Sequence, residues 1–222
     1  LTDGAFYGAS TLKRNQESIS VLKDLGIPDE QILFLNHSNP IHDTELIKNL
    51  DLSYKSILES IGDKKIKEIY CTAYEGGHPD HDATFLLALV LAKKYSIEKI
   101  NQFFTYNSKG LGFVFFRVMS PVNDKYPVAK YKLTFSQLIK HFLLIRKYKS
   151  QLKTWIGLSP FVFIKYILYR SQLIQKIPSD FLPQRPHSGR LYYEKRNWFQ
   201  FEEFQILKDQ FLEKNMDKKN EH

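Results

Sequence analysis

The spacing of hydrophobic positions in the first half of the chain switches regularly between helix and strand. Ser10 or Thr11 can cap a first helix that Gly26 ends, and Asp43 can cap a second. The pattern predicts helices over residues 12–25, 46–61 and 85–94, and strands over residues 31–35, 66–73 and 100–106. The helix over residues 85–94 is apolar nearly all round, so we expect it to be packed on both sides. Strands that alternate with helices predict an α/β, Rossmann-like layered fold with a mainly parallel sheet, in which sites form at the carboxyl ends of strands.

The second half of the chain has a less regular pattern. It predicts a helix over residues 134–148, an aromatic-rich apolar stretch over 155–173 interrupted by Pro160, a strand over 190–198 and a helix over 202–213. We therefore expect an α/β domain over residues 1–133, followed over residues 134–222 by a basic, helix-rich C-terminal extension of the same domain. Residues 214–222 form a charged tail that we expect to fray.

Composition and charge exclude several classes of protein, among them disulfide-stabilised and Cys-rich zinc proteins. The 222 residues carry a formal net charge of +8, which divides into −4 over residues 1–106 and +12 over residues 107–222. The single cysteine, Cys71, excludes an internal disulfide and a Cys-rich zinc module. No stretch reaches the roughly 20 uncharged apolar residues that span a bilayer. The expected location is therefore the cytoplasm, with peripheral attachment to a membrane as a further option.

One loop concentrates residues that carry chemistry. Tyr74-Glu75-Gly76-Gly77-His78-Pro79-Asp80-His81-Asp82 follows a predicted strand and precedes a predicted helix. In an extended loop, residues two apart point to one side, so Asp80 can reach His78 and fix its tautomer. The helix dipole keeps His81 neutral, which is the form that binds a metal. This pattern predicts a metal-dependent site, and the alternative explanation is a polar turn with helix-capping acids.

The loop resembles the zinc-dependent sugar de-N-acetylases, which include the PIG-L deacetylases of N-acetylglucosaminyl-phosphatidylinositol and the LmbE-like proteins. The resemblance covers about residues 1–151 and rests on four elements: Gly76-Gly77-His78-Pro79-Asp80-His81, Leu1-Thr2-Asp3-Gly4, Arg14-x-x-Glu17 and Ser150-Gln151. It implies hydrolysis of an N-acetyl group by a zinc-activated water, with release of acetate and a free amine. The substrate implied is an N-acetylated amino sugar or glycoconjugate.

The resemblance also implies roles for the matching residues. His81 is a zinc ligand, His78 polarises the acetamide carbonyl and donates a proton, and Asp80 orients His78. Arg14 contacts the substrate, and the alternative for Arg14 is a surface ion pair with Glu17. Apart from the resemblance, Asp3 is a candidate to line the site from the end of a strand, and a plain turn is the alternative. At the downstream element the family usually has a His where this chain has Tyr148.

One sequence motif of the family is absent from the 222 residues. The remaining zinc ligands and the general base of the family lie in a His-Pro-Asp-Asp-Glu motif, which this sequence does not contain. We expect the motif upstream of Leu1, in a native product of which the 222 residues are a fragment. Because a catalytic zinc needs about three protein ligands, the fragment is expected to be inactive and to bind zinc poorly.

Two other functions remain open from the residues alone. The adjacent His81-Asp82 is similar to the His-Asp pair of HD-type phosphohydrolases, which need a further His and a distant Asp. A non-catalytic basic module is the second alternative, because basic and aromatic residues interleave over residues 140–176. The segment is expected to form a solvated, amphipathic pair of helices that face the core. Its alternatives are binding to an anionic membrane surface or to an anionic substrate. Nucleic acid is not an expected partner, since no recognised motif accompanies the charge.

Overall fold

The computed structural model describes residues 1–4, 10–35 and 40–216, so residues 217–222 of the predicted frayed tail lie outside it. Contacts between Cα atoms group the chain into two units. The first unit comprises Leu1–Asp43 and Tyr131–Gln172, and the second comprises Thr44–Lys130 and Leu173–His222. Each unit therefore combines segments that are distant in sequence.

The second unit is built around one buried helix. This helix, α3 (Pro79–Lys94), packs against α2 (Leu50–Ile61), β1 (Tyr70–Thr72), β2 (Lys99–Phe103) and α7 (Phe201–Met216). All residues of α3 from 83 to 92 except Thr84 are buried. The sequence predicted this burial from apolar residues on every side of the helix, and the prediction is confirmed.

The central sheet has four strands. Their order is β1, β2, β6 (Ser171–Pro178) and β5 (Val128–Lys132). Strands β1 and β2 are parallel, whereas β2 and β6 are antiparallel. A separate antiparallel pair consists of β3 (Tyr106–Asn107) and β4 (Arg117–Val118). The mixed α/β class is therefore confirmed. The sheet was predicted to be mainly parallel but is only partly so, because β6 runs opposite to β2.

Among its described residues, the first unit contains three α-helices: α1 (Thr11–Asp24), α4 (Phe135–Ile145) and α5 (Leu152–Tyr169). The Ser10 side chain accepts a hydrogen bond from a backbone N–H of the first turn of α1, which confirms the predicted cap. Lys147 Nζ lies 2.5 Å from Asp24 Oδ2, so the segment after α4 is tied to the end of α1. None of the helices among the described residues combines the length and apolar content required to cross a membrane.

Two predicted strands are wrong. Residues 190–198 instead contain the short helix α6 (Tyr192–Lys195), because the Leu191 N–H donates to the Glu194 carboxylate at 2.6 Å and closes a helical turn. Leu191 and Tyr193 are both buried, and this alternation in a single turn reproduces the pattern of a strand. Residues 29–31 form a 3-10 turn, and the described residues 32–35 that follow it contain no strand.

The apolar stretch around Pro160 also differs from its prediction. It forms one continuous helix, α5, with the proline inside it. A proline there removes a single backbone donor, and the residues on both sides remain helical.

Candidate active site

The loop between β1 and α3 follows the carboxyl end of a parallel strand. Two glycines allow the close contacts that it makes. A Cβ at Gly77 would lie 1.9 Å from the Tyr106 carbonyl oxygen, and Gly76 has φ +71° with Leu191 against it. The Gly76 carbonyl also accepts a hydrogen bond from the Tyr192 N–H at 2.8 Å. Larger residues would push the loop away from its neighbours, so the Gly-Gly pair sets the position of the histidine that follows.

His78 caps the N-terminus of α3 with its ring. Its Nδ1 accepts the backbone N–H of Asp80 at 3.2 Å, and Pro79 occupies the first helical position. Because Nδ1 is an acceptor, the proton of the neutral ring is assigned to Nε2. Burial lowers the pKa of His78 to about 4, so the ring is neutral at pH 7. His78 therefore presents an N–H donor through Nε2.

The carboxylate of Asp80 was expected to bind His78, but it binds the main chain before α2 instead. It accepts the backbone N–H groups of Thr44 at 2.8 Å and Leu46 at 3.1 Å. Its Oδ2 lies 4.0 Å from His78 Nδ1, which is beyond hydrogen-bonding distance. The tautomer of His78 is thus fixed by the main chain of Asp80, while the Asp80 side chain holds the segment that leads into α2.

His81 is positioned by a relay of hydrogen bonds. Its Nδ1 lies 3.1 Å from Thr105 Oγ1, and that hydroxyl donates to Glu75 Oε1 at 2.6 Å. Since the hydroxyl proton is directed at the carboxylate, Oγ1 accepts from His81 Nδ1–H. In its neutral form, the His81 ring has its lone pair on Nε2, which is the opposite tautomer to that of His78. The two ring centroids are 5.2 Å apart.

The carboxylate of Glu75 is the buried end of this relay. Besides the Thr105 hydroxyl, it accepts the backbone N–H groups of Thr105 at 2.7 Å and Tyr106 at 3.1 Å, and the side-chain amide of Asn107 at 3.2 Å. Burial raises the pKa of Glu75, and these four donors oppose the rise. The side chain joins the loop after β1 to the segment that contains β3.

Asp82 is also buried and closes the loop from inside. Its carboxylate accepts the N–H groups of Glu75 and Gly76 at 2.9–3.2 Å. Burial raises the pKa of Asp82 well above its ordinary value, and the two N–H donors oppose this. Its hydrogen bonds give Asp82 a structural role in shaping the Gly-Gly turn.

Four aromatic side chains stand around the two histidines, and we call them the aromatic collar: Tyr106, Phe116, Tyr192 and Trp198. Trp198 lies 5.3 Å from the His78 ring and Tyr106 lies 5.8 Å from the His81 ring, measured between centroids. Tyr192 contacts Tyr106, Phe116 and Trp198 at 5.4–5.8 Å. All four side chains are partly exposed, so they present aromatic surface next to the histidines.

In the first unit, Asp3 and Arg14 lie close to the same short segment. The Asp3 carboxylate is buried and accepts hydrogen bonds from His42 Nδ1 at 2.8 Å and the Asp43 N–H at 3.1 Å. The Arg14 guanidinium covers Gly4, where an added Cβ would lie 2.8 Å from it. Burial lowers the pKa of Arg14, with nearby Asp43 foremost among the charges that oppose the shift.

The first unit also joins two of the sequence elements on which the resemblance rests. Ser150 donates its N–H and its hydroxyl to the Glu17 carboxylate, the N–H at 2.9 Å. The amide oxygen of Gln151, in the orientation that satisfies its hydrogen bonds, accepts from the guanidinium of Arg14. The Ser-Gln and Arg-x-x-Glu elements therefore bind each other residue by residue.

The structure thus brings together His78, Asp80 and His81 in the second unit, and Asp3 and Arg14 in the first. Sequence reasoning missed Glu75, Thr105 and the aromatic collar. Its position next to Gly76 and Gly77 was the only feature of the sequence that could have indicated a role for Glu75. Thr105 and Trp198 have no local signature, since each acquires its contacts from a distant segment.

The chain shares its fold with two deacetylases of known structure. One is a deacetylase of the teicoplanin biosynthesis pathway in complex with bog, with a TM-score of 0.53 and 16% sequence identity over 78% of this chain and 75% of that chain. The other is the zinc-inhibited form of teicoplanin deacetylase, with a TM-score of 0.52 and 15% identity over 78% and 76%. No family model and no curated protein matches the sequence.

Proposed function

We propose that this protein is a zinc-dependent hydrolase that removes an N-acetyl group from an N-acetylated amino sugar or glycoconjugate. The observation that carries the proposal is the pair of histidines, His78 and His81, at a strand-to-helix junction, where Nδ1 of His78 accepts a hydrogen bond and Nδ1 of His81 donates one. The fold shared with two deacetylases supports the same reaction class, and the Gly-Gly-His-Pro-Asp-His resemblance favours a sugar substrate.

His81 fits the role of a zinc ligand. Histidines that bind metals commonly donate their second ring N–H to a fixed acceptor, and here Thr105 and Glu75 provide that acceptor. Its Nε2 would hold the metal. When bound, zinc would act as a Lewis acid and lower the pKa of a coordinated water.

His78 fits the role of a hydrogen-bond donor to the acetamide oxygen. Its low pKa keeps the ring neutral, so the Nε2–H can stabilise negative charge that develops on that oxygen during hydrolysis. Asp80 serves His78 through its backbone N–H. Arg14 and Asp3 remain proposed contacts for the substrate.

The aromatic collar favours a ring-shaped substrate. A sugar has weakly polar ring faces that pack well against aromatic side chains, and Trp198 and Tyr192 offer partly exposed surfaces beside His78. In contrast, the hydrogen bonds of Asp82 to the main chain argue against an HD-type phosphohydrolase, in which the Asp of the pair binds metal.

Acetate release tests the proposal. The protein, supplied with zinc, is incubated with N-acetylglucosamine conjugates, and acetate and free amine are measured. We expect release of both products, and a loss of at least about a hundredfold in His78→Ala.

The matched control is His141→Ala, which removes a histidine from α4 in the first unit. It is expected to retain the wild-type rate. Absence of acetate release by the native protein from every N-acetylated sugar, or an unchanged rate in His78→Ala, would refute the assignment.

A further inference from the structure

The helical pair α4 and α5 exposes many large apolar side chains. None of the described residues of α5 is fully buried, although the helix is rich in apolar residues. We call the exposed apolar residues of the two helices the apolar face. They are Phe135, Ile139, Leu143, Leu152, Ile156, Phe161, Phe163, Ile164, Ile167, Leu168 and Tyr169.

The spacing of these residues exposes apolar side chains on more than one side of α5. Leu152, Ile156, Phe163 and Ile167 follow one another at intervals of four or seven residues, so they share one side of the helix. Leu168 lies on another side, and Ile156 and Leu168 are 67% and 68% exposed. An apolar surface of this extent on a folded protein marks a contact with a partner or a membrane.

The pair is itself well packed, so the face is a feature of folded helices. The rings of Phe142 and Phe163 are 4.3 Å apart, and His141 contacts Tyr166 at 5.9 Å. Thr134 and Gln137 form a capping box at the start of α4. These contacts lie between the helices or at their ends, and the residues of the apolar face remain exposed.

The positive charge of the surrounding residues indicates which kind of partner the apolar face binds. Residues 134–170 contain seven Lys and Arg and no Asp or Glu. Arg146, Lys149 and Arg170 are exposed at the ends of the two helices. A second copy of the chain would bring two such positive segments together, which repulsion opposes, whereas an anionic lipid surface attracts them.

We propose that α4 and α5 attach this protein to the surface of an anionic lipid bilayer. The apolar face enters the boundary between headgroups and acyl chains, and the flanking cations bind the lipid phosphates. The helices lie along the surface, since α5 has 18 residues with Pro160 and Lys165 within it. This inference is independent of the hydrolase assignment.

Vesicle sedimentation tests the attachment. The protein is mixed with vesicles of phosphatidylcholine alone or with a quarter of phosphatidylglycerol, and the pelleted fraction is measured. We expect binding to the anionic vesicles that weakens when salt rises from 0.1 to 0.5 M, and little binding to the neutral ones.

Two variants separate the apolar and the charged contributions. Ile156→Ser with Leu168→Ser should lower the partition coefficient at least about tenfold. Arg146→Glu with Lys149→Glu should lower it about 25-fold or more, at about fivefold for each cation lost. The controls are Leu182→Ser with Ile206→Ser, and Lys64→Glu with Lys67→Glu, which alter equally exposed residues of the second unit.

The outcomes are distinct. Loss of binding in the two test variants, with normal circular dichroism and unchanged binding in both controls, supports the proposal. Equal binding to neutral and anionic vesicles, or wild-type affinity in both test variants, would overturn it. So would light scattering that shows a dimer dissociated by Ile156→Ser with Leu168→Ser, since the face would then join two copies.

Discussion

Thr105 carries a prediction that tests how the site is organised. Thr105→Val keeps the size of the side chain and removes the hydroxyl that links Glu75 to His81. The lost bond to a buried carboxylate is charge-assisted and is worth about 1.5–3 kcal/mol. Glu75 keeps its three other donors, so we expect a loss near the middle of this range, about 2 kcal/mol.

Two measurements report the effect. For a chain of this size, 2 kcal/mol lowers the midpoint of thermal unfolding by about 4–8 °C. Removing the acceptor of a metal-binding histidine also lowers metal affinity about 10–100-fold, which zinc titration of the native protein detects. Thr105→Ser, which retains the hydroxyl, is the matched control and should recover most of both values.

Nitrogen NMR of the histidine rings tests the cause directly. His81 should show the Nδ1–H tautomer and His78 the Nε2–H tautomer, and Thr105→Val should change His81 alone. If His81 carries its proton on Nε2 in the wild type, or if the valine and serine variants behave identically, the relay does not position His81.

Three further predictions follow from single contacts. Gly77→Ala should lower the unfolding midpoint by 10 °C or more, on the order of several kcal/mol, because its Cβ would meet the Tyr106 carbonyl; Gly157→Ala, with open space around it, should not. Trp198→Ala should raise KM for the N-acetylated sugar about tenfold in steady-state assays, with Trp198→Phe recovering most of it. Burial lowers the pKa of His187 below that of the unfolded chain, so stability should fall as pH drops from 7 to 5. His187→Gln should reduce this fall in urea-measured stability, and the part that remains includes the contribution of His78.

Features encoded by neighbouring residues were predicted from the sequence. Ser10 caps α1, α3 is buried on all sides, and the Gly-Gly-His loop lies between a strand and a helix. Each of these follows from side chains within a few positions of one another, whose spacing and hydrogen-bonding capacity are written in the local sequence.

Predictions from local sequence patterns were wrong where an interaction with another side chain or segment determined the conformation. Residues 190–198 alternate as a strand would, and the Glu194 carboxylate makes them a helical turn. Asp80 was expected to orient His78 through its carboxylate, but that group binds Thr44 and Leu46, 34–36 residues away. A side chain with several possible partners takes the set that satisfies most buried donors, and the sequence does not rank those sets.

By itself, the sequence determined the class of fold, the loop that carries the histidines and the basic, apolar character of residues 134–170. Only the tertiary structure decided which tautomers the histidines hold, since Thr105 and Glu75 are 30 residues apart and meet across two loops. It likewise placed Trp198 beside His78 and left the apolar face of α4 and α5 exposed. Hydrogen bonds and burial depend on distances in space, and a chain fixes those distances only once it has folded.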